Sequence, residues 1–137
     1  LPDAAGLLAA GARPCTGVDS HALVDPFEEA RAIELDERSR QEKRTVAADA
    51  RTLLCAASAD GYAAIGFAGE EQDDEVVLDA TDPALAGAPD DALDDAVIFG
   101  GSPRAVRDVR VAGRLVVEDG RLYAADPIRE AYLRATK

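Results

Sequence analysis

Pro14-Cys15-Thr16-Gly17-Val18-Asp19-Ser20-His21, followed three residues later by Asp25-Pro26-Phe27-Glu28, is the stretch that decides how this chain folds. Residues 13–18 are few and small, and they read as a short buried strand. The strand ends in a carboxylate, and a helix start follows at once. Asp25 suits the cap, Pro26 the first helical position, and Glu28 falls three residues after the cap. Asp19 therefore sits where a buried strand hands over to a helix, and it is the first candidate for any chemistry.

Working outward, residues 3–11 read as a short Ala/Leu helix capped by Gly11, with Leu7, Leu8 and Ala10 facing a core. The helix after Asp25 is expected to run to about Arg40. Phe27, Ala30 and Ile33 form its apolar stripe. Glu34–Arg38 and Asp36–Arg40 are favourable i,i+4 pairs and make a solvated outer face. A second helix is expected from Thr45, with Ala47, Ala50, Leu53, Leu54 and Ala57 as its stripe and Asp60-Gly61 as its end. Residues 66–74 read as loop, 75–79 as a strand and 81–91 as irregular. Residues 93–99 read as a brief helix stopped by Gly100-Gly101-Ser102-Pro103. Three short strands follow, at 106–111, 115–118 and 121–124, separated by Ala112-Gly113 and Asp119-Gly120. Asp-Gly favours a type I′ hairpin because both central residues need positive φ. A last helix is expected over about residues 127–134.

The 137 residues leave room for one domain with a modest core; 47% of them are hydrophobic and 31% charged, so the chain reads as globular. No apolar run reaches the roughly 20 residues of a membrane span. No basic segment leads into an apolar one, so no signal peptide is expected and the location reads as cytoplasmic. A net charge of −12 disfavours nucleic acid and anionic lipid as partners. Cys15 and Cys55 form no C-x-x-C and read as free thiols of a reducing compartment. The chain contains no Met, and its opening Leu-Pro-Asp-Ala-Ala-Gly-Leu-Leu reads as part of a helix. It is expected to be the C-terminal piece of a longer protein; a processed or trimmed small protein is the alternative.

The chemical inventory is thin. With one histidine, no multi-histidine metal cage can form within the chain. There is no G-x-S-x-G, Walker loop or G-x-G-x-x-G. Asp19, Ser20 and His21 are the residue types of a hydrolytic triad, but neighbours on a strand point to opposite faces and cannot assemble one. Asp19 alone is ordinarily a turn or cap residue. Its place at the C-terminal end of a strand raises its standing, because parallel α/β barrels collect function there.

Leu7-Leu8-Ala9-Ala10-Gly11 with Gly17-Val18-Asp19-Ser20-His21 resembles the eighth strand of the amidohydrolase superfamily. The following Asp25-Pro26-Phe27-Glu28-Glu29-Ala30-Arg31-Ala32-Ile33-Glu34-Leu35-Asp36-Glu37-Arg38 resembles, more specifically, the formimidoylglutamate deiminases. So do Leu85-Ala86-Gly87, Ala96-Val97-Ile98-Phe99 and the tail Val106-Arg107-Asp108-Val109-Arg110-Val111-Ala112-Gly113-Arg114-Leu115-Val116-Val117-Glu118-Asp119-Gly120-Arg121. The resemblance covers about residues 4–123.

It implies an α/β fold: the C-terminal part of a metal-dependent (β/α)8 barrel, plus a share of a small β-sandwich. Residues 1–58 would be the last strand–helix unit of the barrel, and residues 59–137 the sandwich segment with its antiparallel meander. Members bind a divalent metal, usually Zn2+, through histidines after strands one and five and through the strand-eight Asp. Asp19 is the counterpart of that last ligand, and its implied roles are metal ligand and proton acceptor. The implied reaction takes N-formimidoyl-L-glutamate, a small-molecule amidine, to N-formyl-L-glutamate and ammonia in histidine catabolism. The full-length protein would be a homo-oligomer. Two alternatives stand beside this reading: another amidohydrolase acting on guanine, cytosine or a chlorotriazine, and a small acidic non-catalytic α/β module that binds a partner through its sheet.

Overall fold

A computed structural model describes residues 3–20, 22–69 and 73–136. Helix α1 spans Ala4–Ala9, and the Asp3 side chain caps it by accepting the Gly6 amide at 2.9 Å. Gly11 follows at φ +88°, a conformation only glycine adopts without strain. The expected inward face does not form: Leu7 is 54% exposed, Ala10 is exposed and Leu8 only half-buried.

Residues 12–18 are extended, yet they pair with no strand among the described residues. Cys15 and Gly17 are exposed, so the buried strand read from the sequence is corrected here. A strand is defined by its ladder, and no described strand lies alongside this run to supply one.

Helix α2, Pro26–Gln41, starts as its sequence dictates: Asp25 accepts the amides of Phe27 at 2.9 Å and Glu28 at 3.2 Å. Ala30 is buried, with Phe27 and Ile33 half-buried beside it. The outer face departs from expectation, because Glu34 and Glu37 are buried rather than solvated. The stripe that starts at Ala30 passes through 33, 34 and 37 at helical spacing, and therefore carries both glutamates inward.

No helix begins at Thr45, which instead adopts φ +52°. That left-handed backbone lies outside the helical region, and the amides of Val46, Ala47 and Ala48 that follow it turn in to bond Glu34. Helix α3 starts later, over Ala50–Ala56, with Asp49 accepting the Thr52 amide at 2.8 Å. Asp60-Gly61 does not terminate it. Both residues lie inside a separate short helix, α4, Ala59–Ala64, and the chain leaves that helix at Gly66, φ +86°. Glu70, Glu71 and Gln72 of the expected 66–74 loop lie outside the described residues.

Strand β1, Glu75–Leu78, opens a four-stranded antiparallel sheet with β2, Val106–Val111, β3, Arg114–Glu118, and β4, Arg121–Leu122, in the order β1-β2-β3-β4. Val76 faces Val109 and Glu75 faces Arg110, and the last pair closes an ion pair at 3.4 Å. Both hairpin tips have the expected geometry: Ala112 and Gly113 at φ +49° and +71°, Asp119 and Gly120 at +47° and +72°. A carboxylate holds each tip, Asp74 just before β1 and Asp108 within β2. Ala112 donates to Asp74 at 2.7 Å, and Asp119 donates to Asp108 at 3.1 Å. Between β1 and β2, a short helical turn α5, Leu93–Asp95, widens into a π-helical turn over Ala96–Gly100. Helix α6, Ala125–Ala135, ends the fold with no buried residue.

The core is small. Ala30, Ala50, Leu53 and Ile98 pack together, joined by Ile33, Leu54, Ala57 and Phe99. It therefore lies between α2, α3 and the turn after α5 rather than on the sheet. An apolar groove of about 460 Å³ separates Phe27, Leu54 and Val97 from Val76, Leu78 and Val106 of the sheet.

Candidate active site

Asp19 lies just past the extended run, in a left-handed turn at φ +37°. Left-handed backbone is tolerated by Asp better than by most residues, because its short polar side chain can bond locally. The side chain is exposed. It takes no hydrogen bond or ion pair from any described residue. Ser20 is exposed beside it, and His21 lies outside the described residues.

The segment that delivers Asp19 is tied to the rest of the chain at two points. Thr16 donates its amide to the Ala56 carbonyl at 3.1 Å. Arg13 binds Asp60 of α4 through Nε at 3.2 Å and also through Nη2. The ordinary Arg pKa is raised further there, first by the hydrogen bond to Asp60 and then by its charge. On the far side, Asp25 fixes the start of α2.

Helix α2 holds its surroundings through three polar anchors that the sequence does not single out. Glu34 accepts the Arg38 guanidinium at 2.8 Å and the amides of Val46, Ala47 and Ala48 at 3.0, 2.8 and 3.3 Å. Burial works to raise the Glu34 pKa, but these bonds outweigh it and hold the group below its usual 4.5. Glu37 is held down too, first by Arg40; its oxygens also take the Gln41 side chain and the Ala4 amide, which ties α1 to α2. Arg31 donates to the carbonyls of Phe27 at 3.0 Å and Phe99 at 3.4 Å, and to that of Gly101. Arg38 lies 4.6 Å above the Phe99 ring centre, within cation–π range. The one signal in the sequence was the spacing of Ala30, Ile33, Glu34 and Glu37.

Among the described residues, no group of three or more His, Cys, Asp or Glu is placed to hold a metal ion. The donor chemistry fits a metal only in part. An exposed carboxylate with no described partner can supply one ligand, whereas a closed site needs about four. Cys15 and Cys55 are free thiols, as expected.

The chain superimposes on the crystal structure of an amidohydrolase from Brucella melitensis with a TM-score of 0.79 and 30% sequence identity, over 97% of this chain and 31% of that one. At that identity the likeness extends beyond fold, so the chain shares both structure and sequence with amidohydrolases. The particular relative is formimidoylglutamate deiminase of Pseudomonas aeruginosa, 43% identical over 129 residues, which is 86% of this chain and 28% of that protein. The chain thus matches a C-terminal portion of it and spans less than a third of the length of either relative. No protein-family model matches. Among the described residues, no helix is long and apolar enough to cross a membrane.

Proposed function

We propose that this chain is the C-terminal part of a metal-dependent formimidoylglutamate deiminase of the cytoplasm. That enzyme takes N-formimidoyl-L-glutamate and water to N-formyl-L-glutamate and ammonia, a step of histidine catabolism. The 43% identity over 129 residues is the observation that carries the reading. In it, residues 1–58 complete a (β/α)8 barrel and residues 59–137 belong to a small β-sandwich, in a homo-oligomer.

Asp19 is the residue of this chain that would meet the metal. A bound divalent ion, Zn2+ foremost, would lower the pKa of a water towards neutrality. The Asp19 carboxylate has two roles, holding one coordination position and accepting the proton that the attacking water gives up. Its exposure and its lack of a described partner suit both. The amidine carbon of the substrate takes the oxygen, and nitrogen departs as ammonia.

The test uses the full-length protein that contains this chain. Ammonia release from N-formimidoyl-L-glutamate, but not from guanine or cytosine, is the expected result. Asp19→Asn should lower that rate by about 10²–10⁴-fold, the usual contribution of a positioned base. Release from a nucleobase instead moves the assignment to another amidohydrolase. No release from any of them refutes it.

A further inference from the structure

We infer that α6 is a clasp, whose apolar stripe docks on the polypeptide that precedes Leu1 in the full-length protein. The inference rests on the reading of this chain as the C-terminal part of a longer enzyme, and it names a surface through which the two parts hold together.

Every residue from Arg121 to Thr136 is exposed, and α6 buries none of its 11 residues. No side chain caps its start. Isolated helices shorter than roughly 12–15 residues are marginal in water, because nucleating the first turn is unfavourable. A helix of this length therefore persists when a neighbour covers its apolar face. The helix also has a counterpart in a longer protein. The superposition on the Brucella melitensis amidohydrolase spans 97% of this chain, which leaves too few residues outside it to omit α6.

The face to be covered is legible in the spacing. Ala125, Ile128, Tyr132 and Ala135 fall at helical intervals and form one stripe. The charged side chains lie on the other side and pair with one another, Asp126 with Arg129 at 3.9 Å and Glu130 with Arg134 at 3.6 Å. The polar face thus finds its partners within the helix, and the apolar face does not.

Area decides what covers it. Ile128 is 57% exposed, Tyr132 66% and the flanking Leu133 51%. At those fractions the three offer on the order of 400 Å² of surface. A stable interface between free molecules buries about 800 Å² on each partner, so a second copy would need as much again from elsewhere. Docking within one polypeptide loses no translational freedom, and the smaller area suffices. The occupant is at hand, since this chain spans only 28% of the deiminase it matches and 31% of the amidohydrolase.

The experiment uses the full-length protein. Hydroxyl-radical labelling of the wild type, read by mass spectrometry, should modify Tyr132 several-fold more slowly in the native state than after urea unfolding, at every protein concentration. A p-benzoylphenylalanine at position 132 should, on irradiation, join α6 to a peptide preceding Leu1 at the mass of a single chain. Tyr132→Asp should lower the thermal midpoint by several degrees and leave kcat and KM unchanged well below it. Equal labelling in both states overturns the inference, because the stripe then stays in water. So does protection that fades on dilution, or a cross-link at twice the chain mass, since a second copy is then the cover. A cross-link confined to residues 1–137 overturns it as well. Ammonia release from N-formimidoyl-L-glutamate scores the deiminase reading separately. Protection without release removes that reading and keeps the clasp; release without protection removes only the clasp.

Discussion

Replacing Glu34 by alanine should destabilise the protein by about 3–5 kcal/mol, the range for removing one partner from a buried charge pair. The figure follows from the contacts. Glu34 is fully buried and accepts three backbone amides at 2.8–3.3 Å and the Arg38 guanidinium at 2.8 Å. A hydrogen bond to a charged group contributes about 1.5–3 kcal/mol, so a plain sum would overshoot the total. Two effects reduce it. Arg38 is 28% exposed and can rehydrate. Thr45, at φ +52° in the tethered segment, can relax from a conformation that disfavours non-glycine residues by about 1–2 kcal/mol. Glu34→Gln keeps one acceptor oxygen and should lose only about 1–2 kcal/mol. Urea unfolding followed by circular dichroism reads both losses from the midpoint at constant slope. A loss below about 1 kcal/mol for Glu34→Ala would refute the reasoning, because it would place Glu34 with ordinary surface ion pairs. Acid offers a second check. Burial would raise the Glu34 pKa, yet Arg38 and the three amides hold it below the ordinary 4.5. A carboxylate depressed in the folded state contributes stability above its unfolded pKa and loses it as pH falls through the folded one. The urea midpoint should therefore drop as pH falls below 4.5, and drop less steeply in Glu34→Gln.

Other outcomes follow from single positions. Ala112→Gly should stabilise by roughly 0.5–1 kcal/mol, as relief of a left-handed alanine outweighs the extra freedom of glycine in the unfolded chain; a lower thermal midpoint would contradict it. Gly101→Ala should destabilise by at least about 2 kcal/mol, measured by the same unfolding assay, because its Cβ would overlap the Val97 carbonyl and press on Phe27. The 137-residue chain by itself should release no ammonia from N-formimidoyl-L-glutamate and retain no stoichiometric zinc on dialysis. Tight one-to-one zinc would show that its own residues complete a site.

Much of the architecture is written locally. Asp25-Pro26-Phe27-Glu28 starts α2 because a cap and a fixed φ act within one turn of chain. Asp119-Gly120 makes its hairpin for the same reason: the φ values belong to those two residues. Where a signal depends on what lies alongside, the local reading fails. Residues 13–18 have strand composition and find no partner strand among the described residues. Thr45 and Val46 have helical surroundings in sequence, but Thr45 takes left-handed backbone and the amides after it turn in to the buried Glu34 carboxylate. Glu34 and Glu37 look solvated because charge usually marks the outer face of a helix. Their burial depends on amides and guanidiniums brought in by other segments.

What the sequence by itself determined was the place of Asp19, at the end of a small extended run and ahead of a capped helix, together with the likeness to amidohydrolases that both relatives bear out. What only the tertiary structure decided was how that carboxylate is carried: an extended segment without a ladder among the described residues, a left-handed turn, and anchors at Ala56 and Asp60 that lie 40 and 47 residues further along the chain than Thr16 and Arg13. The physical reason is that caps and turns are set by dihedral preferences of adjacent residues, whereas ion pairs and buried carboxylates are set by the packing of segments distant in sequence.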